Sequence, residues 1–418
     1  MQIKNLLPLI IVISGLYLGS RGAFFFIKHP IRTLKFTFGG DNTKESLKSL
    51  ALALSGTLGV GNIVGVIIGL NFGGAGSVFW LFLSSVFASA IKYCEVKFSA
   101  GYSAGNGMIQ AVKGSLGALG GALSKIYSIL ALVLSLFMGS ALQARAIFDS
   151  NTGAVPLSNP LLAAALTIAL FILLKSGKKL IRDASSIIIP IAAFLYTGVC
   201  LFVIFSNLDS LFTVTREILE SAFSPESFSG GIFAFLGASG ITEGFSRGLL
   251  SNEAGAGTSS FSHTSPGIAD ADRAGCFGIL EVLCDTAILC PLTAFTVLLG
   301  SESRDFSGGL SILSDIFLIH LGALGPSILF LSVLAFAFST VICWFYYGTV
   351  CREYIFAEKG GYIYLLIYLI FFVFSYRIDY ILLIRVTDFS LFILTVISLS
   401  AVIKNAKAKE IAPDFRIK

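Results

Sequence analysis

Two glycine-rich stretches place hydrogen-bonding groups inside apolar runs of the sequence. The first, "SGTLGVGN", runs from Ser55 to Asn62, and the second, "SNEAGAG", runs from Ser251 to Gly257. Glycine is a poor helix former, and a helix that breaks inside a bilayer leaves backbone N–H and C=O groups without partners. Such carbonyls can bind a cation, and such N–H groups can bind a carboxylate. The chemistry expected of both stretches is therefore ligand binding.

Each stretch also has a simpler explanation. In the first, Gly61, Gly65 and Gly69 lie four residues apart and form a small-residue stripe that suits close helix packing. The second could be a re-entrant or cytoplasmic loop in which Glu253 pairs with Arg247. Neither explanation accounts for several polar side chains at membrane depth, where such groups usually face a cavity or a partner. Ligand binding is therefore the main hypothesis for both.

A hydrolytic site is the alternative chemistry. The segment "GFSRG", Gly244 to Gly248, matches the GxSxG nucleophile motif around Ser246, and His263 and Asp285 follow it in the chain. That motif requires a strand, a sharp turn and a helix. Here it lies in an apolar segment that is typical of a membrane helix. The sequence therefore favours a protein that is not an enzyme and that needs no organic cofactor.

The elements that carry these stretches are predicted to be membrane helices. The 418 residues are 55% hydrophobic and 13% charged, and the mean hydropathy is +0.87. Apolar runs of about 20 residues recur along the chain, which predicts an all-α polytopic membrane protein with about 11 transmembrane helices. The predicted spans are residues 6–20, 50–70, 78–96, 123–148, 161–174, 184–207, 230–250, 276–299, 327–347, 362–374 and 380–403.

The distribution of charge predicts the orientation of these spans. The net charge of +5 would suggest nucleic acid as a partner of a soluble protein, but the basic residues cluster between the apolar runs. If the N-terminus is outside, the basic loops all lie inside, and the outer segment 209–226 carries four carboxylates against Arg216. The pattern predicts a plasma-membrane protein with its N-terminus outside, its C-terminus in the cytoplasm and no nucleic-acid partner.

The two glycine-rich stretches occupy corresponding positions in two halves of the chain. After the N-terminal helix, each stretch falls in the first span of a five-span half, so the two halves have opposite orientations. Secondary transporters contain such inverted repeats, and their broken helices meet near the membrane midplane. A channel is the alternative, because glycine-rich broken helices also line pores. The predicted regions are 1–47, an N-terminal helix and basic linker; 48–207, the first repeat; 208–403, the inverted second repeat; and 404–418, a cytoplasmic tail.

Four motifs together resemble the alanine or glycine:cation symporter family, which includes the sodium:alanine symporters. They are "ALSGTLGVGNIVG" (53–65), "RGLLSNEAGAG" (247–257), "CDTAILCPLTA" (284–294) and "AFSTVICWFYYG" (337–348). The resemblance covers the chain from Leu18 to about Phe356. It implies a LeuT-type fold of five plus five helices, with the first and sixth core helices broken. The implied activity is sodium-coupled symport of a small neutral amino acid, namely alanine, glycine or serine, by alternating access.

An amino acid zwitterion requires two kinds of partner, and the motif residues offer both. The N–H groups of Val60 and Gly61, at the start of a half-helix, suit the carboxylate. Asn252 and the carbonyls around Ser251 suit the ammonium. The resemblance adds Gln143 from "GSALQAR" and a pocket wall at Trp344. The predicted substrate-binding residues are Thr57, Val60, Gly61, Gln143, Ser251, Asn252 and Trp344.

A sodium ion prefers about five or six hard oxygen ligands, which carbonyls and hydroxyls supply without a carboxylate. The resemblance implies an ion between the broken first core helix and the eighth. The predicted ligands are the hydroxyls of Ser339 and Thr340 and the carbonyls of Ser55, Leu58 and Phe336. The alternative is that adjacent Ser and Thr hydroxyls bond only to their own helix backbone.

Two charged residues leave the identity of the substrate and the identity of the coupling ion undecided. Arg145 stands where the family tends to have Asn, so it could select an acidic substrate or face the outer interface. Asp285 lies inside a predicted span and is expected to join a polar network that holds an ion, a proton or a helix. A proton-coupled transporter, or one of altered specificity, is therefore the alternative to the sodium-coupled one.

Overall fold

The architecture was determined from a computed structural model of the chain. It describes residues 3–39, 54–100, 102, 106–176, 178–223, 239–263, 270–357, 359–408, 410–413 and 415. These residues form helices and short connections, and no strand occurs among them. Helices are expected of apolar runs of this length, because in lipid each backbone group must find its hydrogen-bond partner within its own segment. The predicted all-α fold is confirmed.

Fifteen helices of the described residues are used below and are numbered in chain order. They are α1 (Leu7–Ala23), α2 (Pro30–Phe38), α3 (Gly61–Gly73), α4 (Gly76–Ala100), α5 (Gly107–Ser115), α6 (Gly117–Ser150), α7 (Asn159–Ser176), α8 (Lys178–Ser206), α9 (Leu208–Ala222), α10 (Ser239–Asn252), α11 (Ala271–Gly300), α12 (Leu310–Leu321), α13 (Leu324–Phe356), α14 (Gly361–Val373) and α15 (Tyr380–Ala408).

Six of these helices are long and apolar enough to cross a membrane, namely α4, α6, α8, α11, α13 and α15. Each corresponds to a predicted span. Two other predicted spans, 50–70 and 230–250, begin outside the described residues. Their first parts, 50–53 and 230–238, are not described, and their later parts include α3 and α10. The division into regions 1–47, 48–207, 208–403 and 404–418 stays a prediction.

The segment between the predicted spans 276–299 and 327–347, which the predicted orientation makes an outer loop, contains helix α12. It has 12 residues, so its length of about 18 Å is too short to cross a bilayer core of about 30 Å. Gly309 and Gly322 bound it, each with a φ of 60° that favours glycine. The helix packs on α13 and the end of α6, so it covers this end of the helix bundle.

The helices that carry the two glycine-rich stretches lie at the centre of the bundle. Helix α4 packs extensively on both α10 and α11, and α3 packs along α10. Gly244 permits the close approach of α10 to α4, since a Cβ there would lie 2.6 Å from the Ser77 carbonyl oxygen. The packing places α3, α4, α10 and α11 around a common buried region.

The end of the chain docks on the helix ends of the predicted cytoplasmic side. The Tyr93 hydroxyl donates to Asp272 (2.7 Å) and to the Ile411 carbonyl (3.0 Å). Lys97 pairs with Asp272 (2.5 Å) and also donates to the Ile411 carbonyl (2.9 Å). Beyond them, Phe415 packs against an aromatic ring of α2. The set of Tyr93, Lys97, Asp272 and Ile411, called the tail clasp below, joins α4, α11 and the chain end.

Candidate substrate and cation site

The first glycine-rich stretch interrupts a helix, as predicted. Residues 54–57 form one helical turn, residues 58–60 are bent, and α3 begins at Gly61. The Val60 N–H donates to the side-chain oxygen of Gln143 (3.0 Å), which lies on α6. All residues from 55 to 70 are buried. The break therefore exposes backbone groups to the interior of the bundle and not to lipid.

The second glycine-rich stretch ends α10 and turns the chain. Glu253, Gly255 and Gly257 have φ values of 54°, 88° and 85°, in the left-handed region that favours glycine. A Cβ on Gly257 would also lie 2.6 Å from the Tyr127 hydroxyl oxygen. A helical turn resumes only at Ser260. The sequence SNEAGAG therefore specifies the break in the sixth core helix through its glycines.

The two breaks touch each other. A Cβ on Gly61 would lie 3.0 Å from the Ser251 Cα and 3.1 Å from the Leu250 carbonyl oxygen. The next stripe positions, Gly65 and Gly69, face Leu250 and the aliphatic part of Arg247. The small-residue stripe thus packs α3 against α10, and this packing brings the two breaks together. The packing and ligand-binding hypotheses are compatible.

Gln143 and Thr340 approach the first break from two different helices. A Cβ on Gly59 would lie 2.8 Å from both the Gln143 side-chain oxygen and the Thr340 hydroxyl oxygen. Because Gln143 is a predicted substrate contact and Thr340 a predicted sodium ligand, the two candidate sites meet at one glycine. The Val60 N–H, predicted to bind a carboxylate, is bonded to Gln143 in this structure. A substrate carboxylate would therefore bind beside this pair or displace the Gln143 oxygen.

The predicted sodium ligands are brought together in part. The Thr340 hydroxyl donates to the Ser55 carbonyl (3.2 Å), so these two hard oxygens are adjacent and fit a sodium ion. The Ser339 hydroxyl donates to the Phe336 carbonyl of its own helix (2.9 Å), as the alternative explanation expected. Leu58 lies in the buried bend beside them. The ion assignment therefore depends mostly on Ser55 and Thr340.

Asn252 and Ser251 connect the end of α10 to two neighbouring helices. The Asn252 amide donates to the Thr286 hydroxyl (3.1 Å), and its side-chain oxygen accepts from the Ala254 N–H (2.8 Å). The Asn252 carbonyl, predicted to be available to the substrate ammonium, instead accepts from the Lys92 ammonium (2.6 Å). A substrate ammonium at this carbonyl would therefore share it with a buried lysine, and the role of Asn252 in substrate binding stays a prediction.

Asp285 belongs to the polar network that its position predicted. One carboxylate oxygen accepts hydrogen bonds from the Ser251 hydroxyl and from the Thr286 hydroxyl (3.1 Å). The other carboxylate oxygen is buried and has no hydrogen-bond partner among the described residues. Asp285 thus ties α11 to the last turn of α10, beside the predicted substrate contacts.

Trp344 and Thr57 are buried beside the breaks. The Trp344 indole N–H donates to a Glu253 carboxylate oxygen (3.2 Å), and the side chain is fully buried. A Cβ on Gly139 would lie 2.2 Å from the Trp344 Cβ, so α6 must carry glycine there. Thr57 ends the helical turn before the bend and is also buried. Trp344 is therefore fixed in place, which suits a wall of a small pocket.

Glu253 does not pair with Arg247, and that expectation is wrong. Arg247 pairs with Glu243 (3.3 Å) and with Asp388 of α15 (2.6 Å). Glu253 instead accepts from the Thr258 hydroxyl (2.5 Å) as well as from the Trp344 indole. The reason is local geometry: the left-handed backbone at Glu253 ends α10 and directs the carboxylate into the break.

Three buried charged residues of this region were not identified from the sequence. They are Lys92 and Glu95 on α4 and Glu281 on α11, each fully buried. Glu95 accepts from the Gly255 N–H (2.7 Å), and Lys92 pairs with Glu281 (3.1 Å). The signal was available, because ionisable residues inside predicted spans usually mark a functional interior. Their partners were not predictable, since Lys92 and Asn252 are 160 residues apart.

Arg145 lies at the mouth of a cavity on the predicted outer side. It donates to both carboxylate oxygens of Asp149 (2.9 Å each) and to the carbonyls of Tyr376 (3.0 Å) and Ile378 (3.1 Å). The cavity, of about 470 Å³, lies between α3, α6 and α12. The guanidinium is already neutralised by Asp149, so the structure gives no support to selection of an acidic substrate.

We therefore expect Arg145→Gln to leave the charge preference of the protein unchanged. The variant loses an ion pair that is partly exposed, which contributes about 1 kcal/mol or less to stability. The test is competition of unlabelled glutamate and alanine with labelled alanine uptake. A variant in which glutamate competes much more weakly than in the wild type would show that Arg145 does select charge.

The GxSxG motif lacks the context that a hydrolase requires. Ser246 lies inside α10, and its side chain is buried. The Asp285 carboxylate accepts hydrogen bonds from Thr286 and from Ser251, which is five residues after Ser246 in α10, and not from Ser246. The side chain of His263 lies outside the described part. A nucleophile elbow is a strand–turn–helix, which is not the structure found at this position.

Comparison with known proteins agrees with the structure. Residues 1–415 match the sequence model of the sodium:alanine symporter family. An uncharacterized transporter of Haemophilus influenzae is 32% identical over 381 residues, which are 87% of this chain and 82% of that protein. The sodium/alanine symporter AgcS of Methanococcus maripaludis is 30% identical over 370 residues, 83% of this chain and 80% of AgcS.

The fold is also that of a solved crystal structure. The chain superposes on MhsT, crystallised in complex with L-phenylalanine, with a TM-score of 0.63 at 16% identity. The superposition covers 88% of this chain and 92% of MhsT. The predicted LeuT-type fold is thereby confirmed, with breaks in the first and sixth core helices. The family and its relatives are transporters and not enzymes, and this multi-pass membrane protein belongs to the sodium:alanine symporter family.

Proposed function

We propose that the protein carries out sodium-coupled symport of a small neutral amino acid, with alanine, glycine or serine as substrate. The observation that supports this most directly is the approach of Gln143 and Thr340 to Gly59 from two helices. A residue proposed to bind the substrate and one proposed to bind sodium thus both lie next to Gly59. An ion that binds only when these elements are correctly placed favours the conformation that also binds the substrate.

A small side chain on the substrate is favoured by the walls of the site. Trp344 is fully buried and is held by Glu253 on one side and by the backbone of Gly139 on the other. A large substrate side chain would have to displace a fully buried indole. Alanine, glycine and serine require the least displacement, which is why we propose them.

The proposed orientation follows the distribution of basic residues, with the N-terminus outside and the C-terminus in the cytoplasm of a plasma membrane. In that orientation the inward sodium gradient drives uptake. A tenfold gradient and a potential of about 100 mV together store about 3.7 kcal/mol per ion. One sodium ion per substrate could therefore sustain accumulation of a neutral amino acid by a few hundredfold.

Uptake into proteoliposomes tests this proposal. We expect an inward sodium gradient to concentrate labelled alanine, glycine or serine, and a potassium gradient of equal size to have no effect. A proton gradient that drives uptake where sodium fails would replace sodium with the proton-coupled alternative. Single-channel currents without concentrative uptake would indicate a channel. The absence of uptake of any amino acid across a full panel would refute the function.

A further inference from the structure

Lys92 is a buried ammonium at the end of the broken helix α10. It donates to the Asn252 carbonyl (2.6 Å) and to the Ser259 hydroxyl, and it pairs with Glu281 (3.1 Å). Lys92 and Glu281 are both fully buried. An ammonium has three N–H donors, and the three oxygens that receive them lie at the end of α10, in the turn that follows it and on α11. The side chain thus connects α4 to both ends of the turn 253–259 and to α11.

We propose that Lys92 is a positioning residue of the substrate site. Its ammonium, held by Glu281, fixes the Asn252 carbonyl and the Ser259 hydroxyl, and so sets the path of the unwound turn between them. The Asn252 side chain then presents its amide at a defined place beside Thr286. The inference relies on the proposed function only in taking Asn252 as a substrate contact.

The position of Lys92 beside the buried end of α10 explains why a cation is needed there. The last carbonyls of a helix have no partners within the helix, and they form the negative end of its dipole. At the end of α10 the chain turns away through left-handed residues, so the helix cannot continue to satisfy them. At a protein surface water hydrogen-bonds to such carbonyls, but this helix end is buried inside the bundle. An ammonium on the neighbouring α4 satisfies the carbonyl and stabilises the helix end.

The surroundings of Lys92 show that Glu281 is its direct partner and that other groups are further away. The titratable side chains that interact with it or with its partners are Glu95 on α4, Tyr127 on α6, Glu253 in the turn, Glu281 and Asp285 on α11, and Cys343 and Tyr347 on α13. Glu95 and Glu253 bond to Gly255, Thr258 and Trp344. They therefore hold the same turn from other directions.

A positioning role and a purely structural role predict different results. Removing one member of a buried ion pair is strongly destabilising, because the other charge stays buried without a partner. Replacing both members by apolar residues of similar volume is often neutral or stabilising. The double replacement should therefore restore the fold while the Asn252 carbonyl still lacks its donor.

The experiment compares Lys92→Met, the double variant Lys92→Met/Glu281→Met, and Lys125→Met as the matched control at an exposed position of α6. We expect Lys92→Met to lower the thermal unfolding midpoint and the double variant to recover it. The double variant should still have a KM for the amino acid at least about tenfold higher than the wild type, since a charge-assisted hydrogen bond is lost. Lys125→Met should match the wild type in both measurements.

Lys92→Arg provides a second variant that keeps the charge. The planar guanidinium is not a compact ammonium, so it should retain the pairing with Glu281 but misplace the carbonyl contact. We expect it, too, to raise KM. A double variant or an arginine variant that folds and has the wild-type KM would overturn the proposal.

Amide hydrogen exchange separates this inference from the proposed function. In purified protein without amino acid, we expect residues 253–259 to exchange faster in the Lys92→Met/Glu281→Met variant, with α9 unchanged as an internal reference. Unchanged exchange in that turn would overturn the positioning role. If the wild type transported no amino acid, the symport proposal would fail, while faster exchange in the variant would still support Lys92 as the residue that holds the turn.

Discussion

Asn252→Ala is expected to abolish amino acid uptake. The amide of Asn252 joins the Thr286 hydroxyl to the Ala254 N–H, at 3.1 Å and 2.8 Å, in a fully buried site. Its removal leaves both groups without that partner and removes a proposed acceptor for the substrate ammonium. A hydrogen bond to a charged group contributes about 1.5–3 kcal/mol, so loss of the contact with the ammonium alone should lower the rate of uptake by about 10- to 100-fold. The initial rate of labelled alanine uptake into proteoliposomes measures the loss.

Asn159→Ala is the matched control for that variant. Asn159 is exposed at the start of α7, away from both breaks, so the same chemical change there should leave uptake unchanged. Equal protein incorporation and equal thermal unfolding midpoints must accompany the comparison. Uptake by Asn252→Ala at the rate of the control would show that the end of α10 is not part of the substrate site.

Thr340→Ala is expected to abolish sodium-driven accumulation. The Thr340 hydroxyl lies 3.2 Å from the Ser55 carbonyl, and these are the two predicted sodium ligands that the structure brings together across helices. Without the hydroxyl, the ion loses the ligand that joins α13 to the first break. We expect the sodium concentration for half-maximal uptake to rise at least about tenfold, which corresponds to about 1.4 kcal/mol.

Thr349→Ala makes the same change two turns further along α13. The Thr349 hydroxyl donates to the Phe345 carbonyl of its own helix (2.8 Å), so its loss should not change the sodium dependence. Sodium dependence is measured from initial rates at saturating amino acid over a range of sodium concentrations. A Thr340→Ala variant with the wild-type sodium dependence would remove Thr340 from the ion site and leave the cation location to be sought elsewhere.

The two breaks could be predicted from the sequence because their cause is local. Glycine, hydroxyl and amide residues within an apolar run weaken the helix at that place, whatever surrounds it. Gly255 and Gly257 have left-handed backbones that other residues rarely adopt, so the turn is encoded where it occurs. Their meeting could be predicted from the inverted repeat. The touching of Gly61 and Ser251 agrees with it.

The partners of the charged side chains could not be predicted, because they depend on tertiary packing. The alternative explanation of the second stretch paired Arg247 with the nearby Glu253, but Arg247 pairs with Asp388, which is 141 residues away. Lys92 likewise contacts a carbonyl 160 residues away. A sequence shows that a buried charge needs a partner, but only the packing of α4 on α10 and α11 shows which group provides it.

The tail clasp opposes any movement that separates the ends of α4 and α11 and the chain segment at Ile411 from one another. A conformation that separates the chain segment at Ile411 from α4 must break both hydrogen bonds to the Ile411 carbonyl, and one that separates α4 from α11 must also break the Lys97–Asp272 pair. An opening free energy of only 1.4 kcal/mol already reduces the open population about tenfold. A movement that carries α4 away from residue 411 therefore costs the free energy of these contacts, and Tyr93 of the clasp is the chain neighbour of Lys92, which contacts the end of α10.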